Sequence, residues 1–382
     1  MTFDRQKGQA VAEKTLVVIG GGAAGHQIAH NLMDVMNVTL IDPKTYWEVP
    51  MALPRLLVEP GALPARMEFA EFLPRARIVQ ARAIGIADHS VEVASATGSE
   101  TIAFDYAVIA TGSRYLDPLI KAEKATIGER SAEIAAAHAR LKAAKHVVIV
   151  GGGPVGVEVA AELSETFPDL KITLVHSASK LLDNGPSRFA AWSEKDLRNR
   201  GVKLVLGDSV ISPEMAQQPE DGIVALKSGA RIKADTIVWA AGTQPLTEFV
   251  KSSWPALVDA KGLVATDDYL RVAGHSNVFV AGDITNLPEG RLVITASFHF
   301  TSIVANLKTL AEADPKQDVT LKPYKPAIPG KGMGKIMVVT LGRRDGLSSL
   351  PFGQFRASFI ARHMKSKNMF VSKYRKDVGL TG

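Results

Sequence analysis

The chain has no cysteine among its 382 residues. That absence excludes disulfides, thiolate metal sites and any dithiol relay for electrons. No apolar run reaches the roughly 20 residues that a membrane-spanning helix needs. Met1 to Lys14 is polar and mixed in charge, without the basic-then-apolar pattern of a secretory signal. Thr2 stands where N-myristoylation requires glycine, so that anchor is not expected. Aromatic residues make up 6% of the chain, and no aromatic–basic interleaving marks a nucleic-acid site. No metal site is expected. These absences lead us to expect a cytoplasmic protein. The remaining balance, 46% hydrophobic and 22% charged, is that of a globular chain. Its length exceeds what one core usually serves, so two or three domains are expected.

What the sequence does contain is a pair of glycine-rich turns. Leu16 to Ile19 leads into Gly20-Gly21-Gly22-Ala23-Ala24-Gly25. Val147 to Val150 leads into Gly151-Gly152-Gly153-Pro154-Val155-Gly156. Each matches G-x-G-x-x-G between an apolar strand and a helix, the context in which the motif binds a dinucleotide. In the first, Gly20 permits the tight turn, Gly22 admits a pyrophosphate to the backbone, and Gly25 lets the helix pack on the strand. The helix start offers N–H groups and a positive dipole end to phosphate. The following strand, Val38 to Ile41, ends at Asp42, placed to accept from a ribose 2′-OH. In the second unit the strand Lys171 to Val175 ends in His176-Ser177, with no acid and with Lys180 close by. Nothing there selects strongly between a ribose hydroxyl and a 2′-phosphate, so NADH and NADPH are both expected to serve.

Two buried-strand patterns end alike, Tyr106 to Ile109 before Ala110-Thr111-Gly112 and Thr236 to Trp239 before Ala240-Ala241-Gly242. In flavoproteins with two dinucleotides such strands mark the crossings between domains. The expected organisation is α/β, with two Rossmann-type domains in the manner of glutathione reductase and a small C-terminal α+β domain. The FAD domain takes residues 1–113 and 243–313, the NAD(P)H domain 114–242 and the C-terminal domain 314–382. The run Asn277 to Asp283 reads as a strand closed by Gly-Asp. Asp283 there suits the ribityl or pyrophosphate part of FAD, or is a plain turn aspartate favoured by Gly282. A helix from about Thr295 to Leu310 follows.

Charge is uneven. From Leu321 to Gly382 there are 13 Lys and Arg against 2 Asp and Glu, a local +11 that leaves the other 320 residues at −5 of the total +6. A basic block suits an anionic membrane surface, a nucleic acid or simple solubility. Within it, Lys335 to Leu341 reads as a strand. Phe352, Phe355, Phe359 and Ile360, among Arg356, Arg362 and Lys365, suit either a membrane-surface stretch or a helix docked on its own core.

The two turns, the Ala-Thr-Gly and Gly-Asp strand ends and the short basic C-terminal unit resemble the apoptosis-inducing-factor-like flavoproteins, and within them the ferroptosis suppressor group. The most specific stretches are Gly151 to Glu162, Val272 to Val278, Gly342 to Gly346 and Lys365 to Ser372. The resemblance implies bound FAD, oxidation of NAD(P)H and reduction of a quinone such as ubiquinone. Carried over by position, it implies FAD contacts from Gly20 to Gly25, Asp42, Arg55, the Ala83 backbone, Thr111, Gly112 and Asp283. It places Gly151, Gly153, Gly156, His176 and Gly242 at the nicotinamide dinucleotide and Glu158 near its ring. Lys365 and Phe370 fall near the flavin and the quinone entrance. His299 falls either against the flavin face or satisfied in the domain core. Arg55 sits in a segment that fits the family imperfectly. Without a myristoyl glycine, membrane attachment would rest on the basic C-terminal unit or a protein partner. A homodimer is compatible with the sequence.

The absence of cysteine removes disulfide reduction and cysteine-based sulfide chemistry from this group's repertoire. An iron–sulfur protein docked on the basic block is the rival acceptor. A sensing protein that binds NAD(P)H, with nucleic acid on its basic tail, is the rival without turnover.

Overall fold

The computed structural model describes residues 2–3, 10–11, 14–211, 218–219, 222–313, 318–328, 331, 335–356 and 368–381. They group into two compact units. The first takes Met1–Trp47, Met67–Ser113 and Pro245–Ala327; the second takes Glu48–Arg66, Arg114–Gln244 and Ile328–Gly382.

Along the chain, β1 (Thr15–Ile19), α1 (Gly25–Leu32) and β2 (Asn37–Asp42) open the first unit. Helix α2 (Leu53–Val58) belongs to the second. The first resumes with β3 (Arg77–Gln80), β4 (Arg82–Ala87), β5 (Ser90–Ser95), β6 (Gly98–Ala103) and β7 (Tyr106–Ile109). The second continues through α3 (Ile127–Ala143), β8 (His146–Val150), α4 (Pro154–Thr166) and β9 (Lys171–His176). It goes on through α5 (Phe189–Asn199), β10 (Lys203–Leu206) and β11 (Thr236–Trp239). Then β12 (Val278–Val280) and α6 (Val293–Glu312) complete the first unit. Finally β13 (Met337–Leu341), β14 (Asp345–Leu350), β15 (Gly353–Arg356) and α7 (Val371–Asp377) complete the second.

The first unit is built on a parallel sheet in the order β12-β7-β1-β2-β3. Its central strands carry apolar side chains at successive positions because a parallel sheet is covered on both faces. Leu16 to Ile19 and Ala107 to Ile109 are all buried. From β1 the chain steps to β2 on one side and later fills the other side with β7. The point where strand order reverses is where such sheets take ligands, at the carboxyl ends of the strands. The meander β4-β5-β6 adds Ile86, Val91, Val93 and Ile102 to the same core as Val17, Ile19, Val278 and Val280.

The second unit repeats the plan with the parallel order β10-β9-β8-β11. Strand β8 alternates: Val147 and Ile149 enter one core and Val148 and Val150 another, as the two-residue period of a strand demands. The first of these cores also holds Leu53 and Leu57 of α2, Val157 of α4, and Val339, Leu341 and Leu347 of the C-terminal meander β13-β14-β15. Two buried ion pairs lie in this unit. Arg55 of α2 is bound bidentately by Glu162 of α4, at 2.8 Å on each side. Arg130 of α3, fully buried, reaches Glu48, Glu133 and the carbonyls of Pro118 and Leu119. Helix α3 starts where it does because Thr126 and Glu129 form a capping box.

The expected amphipathic stretch in the C-terminal unit begins as something else. Pro351 and Gly353, the latter at φ +149°, turn the chain back on itself, and Phe352 and Phe355 belong to the β14–β15 hairpin rather than to a helix. Phe352 at its tip is 75% exposed. Phe359, Ile360, Arg362 and Lys365 lie outside the described residues. Among the described residues no helix is long and apolar enough to cross a membrane.

Candidate functional site

The two glycine turns are the same device built twice. Gly20 and Gly151 take φ +100° and +112°, a region open to glycine at little cost. Each donates its amide to the strand beside it, Gly20 to the Ile41 carbonyl at 2.7 Å and Gly151 to the Val175 carbonyl at 2.8 Å. A Cβ on either would stand 2.6 Å from a carbonyl oxygen, that of Ala110 or Ala240, at the end of β7 or β11. A Cβ on Gly25 or Gly156 would stand 1.8 or 1.9 Å from the carbonyl of Gly20 or Gly151. Those four glycines are required by the protein's own packing.

The middle glycines are not. A Cβ on Gly153 would meet nothing of the protein within 4 Å, and one on Gly22 only the Ala110 carbonyl oxygen at 3.8 Å. Glycine here leaves the backbone open, as close approach of a pyrophosphate requires. Ala23 and Ala24 carry the first turn into α1, whose N-cap has no side-chain hydrogen bond, and α4 is likewise uncapped by a side chain. Neither first turn contains an acid that would repel phosphate. Both turns therefore fit a dinucleotide.

What closes each turn differs. The buried Asp42 accepts from the Gly21 amide at 2.7 Å through Oδ2, and from the Lys44 amide and Nζ through Oδ1. At the second turn a Cβ on Gly152 would meet the His176 ring at 2.7 Å, so this imidazole packs directly on the turn. Its Nε2 faces Asp183 Oδ1 at 3.4 Å.

Around the first turn, Gly112 takes φ +66° and Thr111 donates to the Leu246 carbonyl at 2.6 Å. Asp283, in a 3-10 turn after β12, accepts from the Ser113 hydroxyl at 2.6 Å. Ala83 lies in β4 beside a register shift. A 60 Å³ cavity lies among Asp283, Thr285, Arg291 and Thr295, at the start of α6. His299, on α6, is fully buried. Its Nδ1 accepts from the Gly282 amide at 2.9 Å, so the ring proton sits on Nε2 and is donated to Glu289 at 2.7 Å. Glu289 also accepts from the Tyr324 hydroxyl and the Ala327 amide. Burial alone would raise the Glu289 carboxyl; these hydrogen bonds outweigh it and hold it below its ordinary value. Burial and then Glu289 push Tyr324 up. Both ring nitrogens of His299 are thus satisfied within the first unit, where it holds the Gly282–Asp283 turn.

In the second unit, Glu158 of α4 is buried and accepts from the Thr340 amide at 2.8 Å. Gly242 takes φ +80°, packed by Leu116. Arg55 sits in this unit with Glu162. Phe370 takes φ +62° just before α7, and Lys365 lies outside the described residues. The residues that sequence reasoning missed are second partners: Thr340 for Glu158, Ser113 for Asp283, and Glu289 and Tyr324 for His299. No local pattern announces them, since their partners stand 10 to 182 positions away.

A larger cavity, about 640 Å³, lies elsewhere in the first unit, lined by Lys14, Tyr106, Arg271 and Asn277. Lys14, Tyr106 and Asn277 stand at the amino ends of the parallel strands, the wrong end of such a sheet for a dinucleotide.

The likenesses to known proteins agree with this geometry. The apoptosis-inducing factor homolog B of Dictyostelium discoideum is 28% identical over 382 residues, covering 95% of this chain and 96% of that one. Ferroptosis suppressor protein 1 of Xenopus laevis is 28% identical over 385 residues, covering 96% of both. In fold, the sulfide:quinone oxidoreductase of Aquifex aeolicus matches with a TM-score of 0.74 at 18% identity, over 96% of this chain and 91% of that one. Residues 14–299 match a single family, and with both turns in place the chain belongs to it: the pyridine nucleotide-disulphide oxidoreductases, FAD-dependent enzymes that use NAD(P)H.

Proposed function

We propose that this chain passes electrons from NAD(P)H through FAD to a quinone. The observation that carries the reading is the matched pair of dinucleotide turns in a chain without cysteine. FAD is assigned to the first turn and NAD(P)H to the second. FAD bound there supplies two-electron chemistry, taking a hydride from the nicotinamide and giving electrons to the acceptor. The protein's part is to bind and orient. The Gly22 and Gly153 backbones receive the two pyrophosphates. Asp42 and Asp283 hold the FAD ribose and ribityl chain, and Glu158, fixed by the Thr340 amide, orients the nicotinamide. Lacking thiols, the chain has no disulfide to reduce or re-form, so no residue of its own would relay electrons to the acceptor. A quinone accepts them so, and the sulfide:quinone oxidoreductase that shares this fold is named for such an acceptor. Lys365 and Phe370 are assigned to the acceptor side, where a lysine charge stabilises a developing quinol anion. The basic C-terminal residues are assigned to an anionic membrane surface, where a lipid-dissolved quinone resides. With His176 in place of an acid, NADH and NADPH both serve.

The test is direct. The purified protein should be yellow, bleach with NADH and with NADPH, and oxidise either with ubiquinone-1. A colourless protein that gains no flavin on reconstitution overturns the reading. The 13 basic residues against 2 acidic ones after Leu321 favour one rival, an acidic iron–sulfur acceptor. Turnover with a ferredoxin that falls steeply with salt, beside poor quinone turnover, would establish it.

A further inference from the structure

The two glycine turns share a backbone and differ at the strand that follows each. At the first, Asp42 closes β2 and accepts from the Gly21 amide. At the second, His176 closes β9, and its ring packs on Gly152, the residue equivalent to Gly21. The strand end is where an acid meets the ribose of a dinucleotide. Strand β9 brings no acid there, but a carboxylate reaches the place from elsewhere. Asp183, seven positions further on, sets Oδ1 3.4 Å from His176 Nε2.

The loop that carries Asp183 is fixed on the glycine turn itself. The Leu182 amide donates to the Gly152 carbonyl at 2.9 Å, and the Gly185 amide to the Leu182 carbonyl at 2.7 Å. Glu194 of α5 accepts from the Leu181 amide at 3.2 Å. Leu181 and Leu182 are both buried in the core shared with α4. Leu182 is held at φ +50°, where a leucine is strained and a glycine is not. Such backbone persists only where its surroundings over-determine it, and it gathers at ligand clamps. The next residue faces outward: the Asp183 side chain is 35% exposed, against 13% for His176. Asp183 also has acceptor capacity to spare. A carboxylate offers about four lone-pair sites, and here the imidazole and the Asn184 amide, 3.1 Å from Oδ2, take one each. Because a carboxylate accepts, the imidazole donates through Nε2 and holds Asp183 in place.

We propose that Asp183 reads the adenosine ribose of the nicotinamide dinucleotide, in the part that an acid at the end of β9 would have, and favours NADH over NADPH. The proposal rests on the assignment of NAD(P)H to the second turn. A ribose 2′-OH donates to the carboxylate in a charge-assisted bond. A 2′-phosphate offers no donor there and brings a like charge. Lys180 and Arg188, exposed in the same loop, offset that charge and keep NADPH usable. Both cofactors serve, with NADH ahead by about tenfold, the worth of one exposed bond to a charged group. His176 is a positioning residue, acting through Asp183.

The test compares kcat/KM for NADH and NADPH with ferricyanide as acceptor, so that no quinone site enters. The unmodified holoenzyme should favour NADH about tenfold. Asp183→Asn, nearly isosteric, should raise KM for NADH and lower KM for NADPH, bringing the ratio to about one. Asp183→Arg should invert it. His176→Phe keeps a ring on Gly152 but removes the donor, and should shrink the preference through KM. A ratio unchanged in Asp183→Asn overturns the proposal. So does an equal loss with both cofactors, which would mean that the substitution had only loosened the loop. Failure of the underlying assignment looks different. Gly153→Val, whose side chain would meet nothing of the protein near its Cβ, would then leave KM for both cofactors unaltered.

Discussion

Acid should loosen the first glycine turn through one residue, His26. It directly follows Gly25, is fully buried, and stacks on Trp47 at 4.0 Å with Phe72 edge-on. Its Nδ1 meets the Gly22 carbonyl at 2.6 Å and its Nε2 meets the Gln27 amide at 3.2 Å. Carbonyl and amide fix the tautomer, with the proton on Nδ1 and the lone pair on Nε2. Burial, and to a lesser degree His30, push its pKa from 6.5 to about 4, against the raising effect of the Gly22 carbonyl. Above pH 6.5 the residue is neutral both folded and unfolded and favours neither. Below it the unfolded chain takes the proton first, so the folded state loses ground until about pH 4. At about 1.4 kcal/mol for each pH unit, the gap amounts to roughly 3 kcal/mol. His26→Phe keeps the stack on Trp47 but gives up the bond to Gly22, a cost of about 1 kcal/mol at pH 7. The two stability profiles, from urea unfolding monitored at a series of pH values, should therefore cross between pH 6.5 and 4. The unmodified protein is more stable at neutral pH and the variant at pH 4. Parallel profiles would refute the reasoning, and so would a His26 ring resonance titrating near 6.5 in the native protein.

Three further outcomes follow from the same geometry. Gly25→Ala should abolish FAD retention, while Gly156→Ala should keep the flavin and raise KM for NADH at least tenfold; absorbance of the purified variants and steady-state kinetics separate the two. His299→Phe removes the acceptor of the Gly282 amide and should weaken FAD binding about tenfold, read by flavin fluorescence on dilution. Glu162→Gln removes the bidentate carboxylate from the buried Arg55 guanidinium and should cost about 3 kcal/mol, seen as a thermal unfolding midpoint lowered by several degrees.

The parts of this fold legible in the sequence are those whose cause is local. The strands Leu16 to Ile19 and Val147 to Val150 announce themselves because parallel strands are apolar on both faces. The glycine turns do so because only glycine takes φ near +100° there. The helix expected over 295–310 extends over Val293–Glu312, a difference of end turns. Other features were hidden because their cause is distant. The hydrogen bonds of Glu158 to Thr340 and of Arg130 to Glu48 join residues 182 and 82 apart, and nothing near any of the four marks them. His26 is hidden for another reason: a histidine just after G-x-G-x-x-G looks like a polar helix residue, and only its burial against Trp47 reveals its part. The capping box Thr126–Glu129 and the turn at Thr97-Gly98 were readable local signals for α3 and the β5–β6 hairpin.

The basic C-terminal segment looks, in composition, like a tail attached to a two-dinucleotide protein. Its packing argues otherwise. Val339, Leu341 and Leu347 share a core with Val157 and Val159 of α4, the helix that begins at the second glycine turn. Strand β13 donates its Thr340 amide to Glu158 of the same helix, and Arg343 adds its amide to Glu165, about two turns further along. Arg356 and Arg200 meet on Asp196 of α5. Strand β13 and the turn after it are thus secured by carboxylates of the helix that begins at the second glycine turn. The meander within that segment is part of the scaffold of the second unit, packed on α4 beside Glu158.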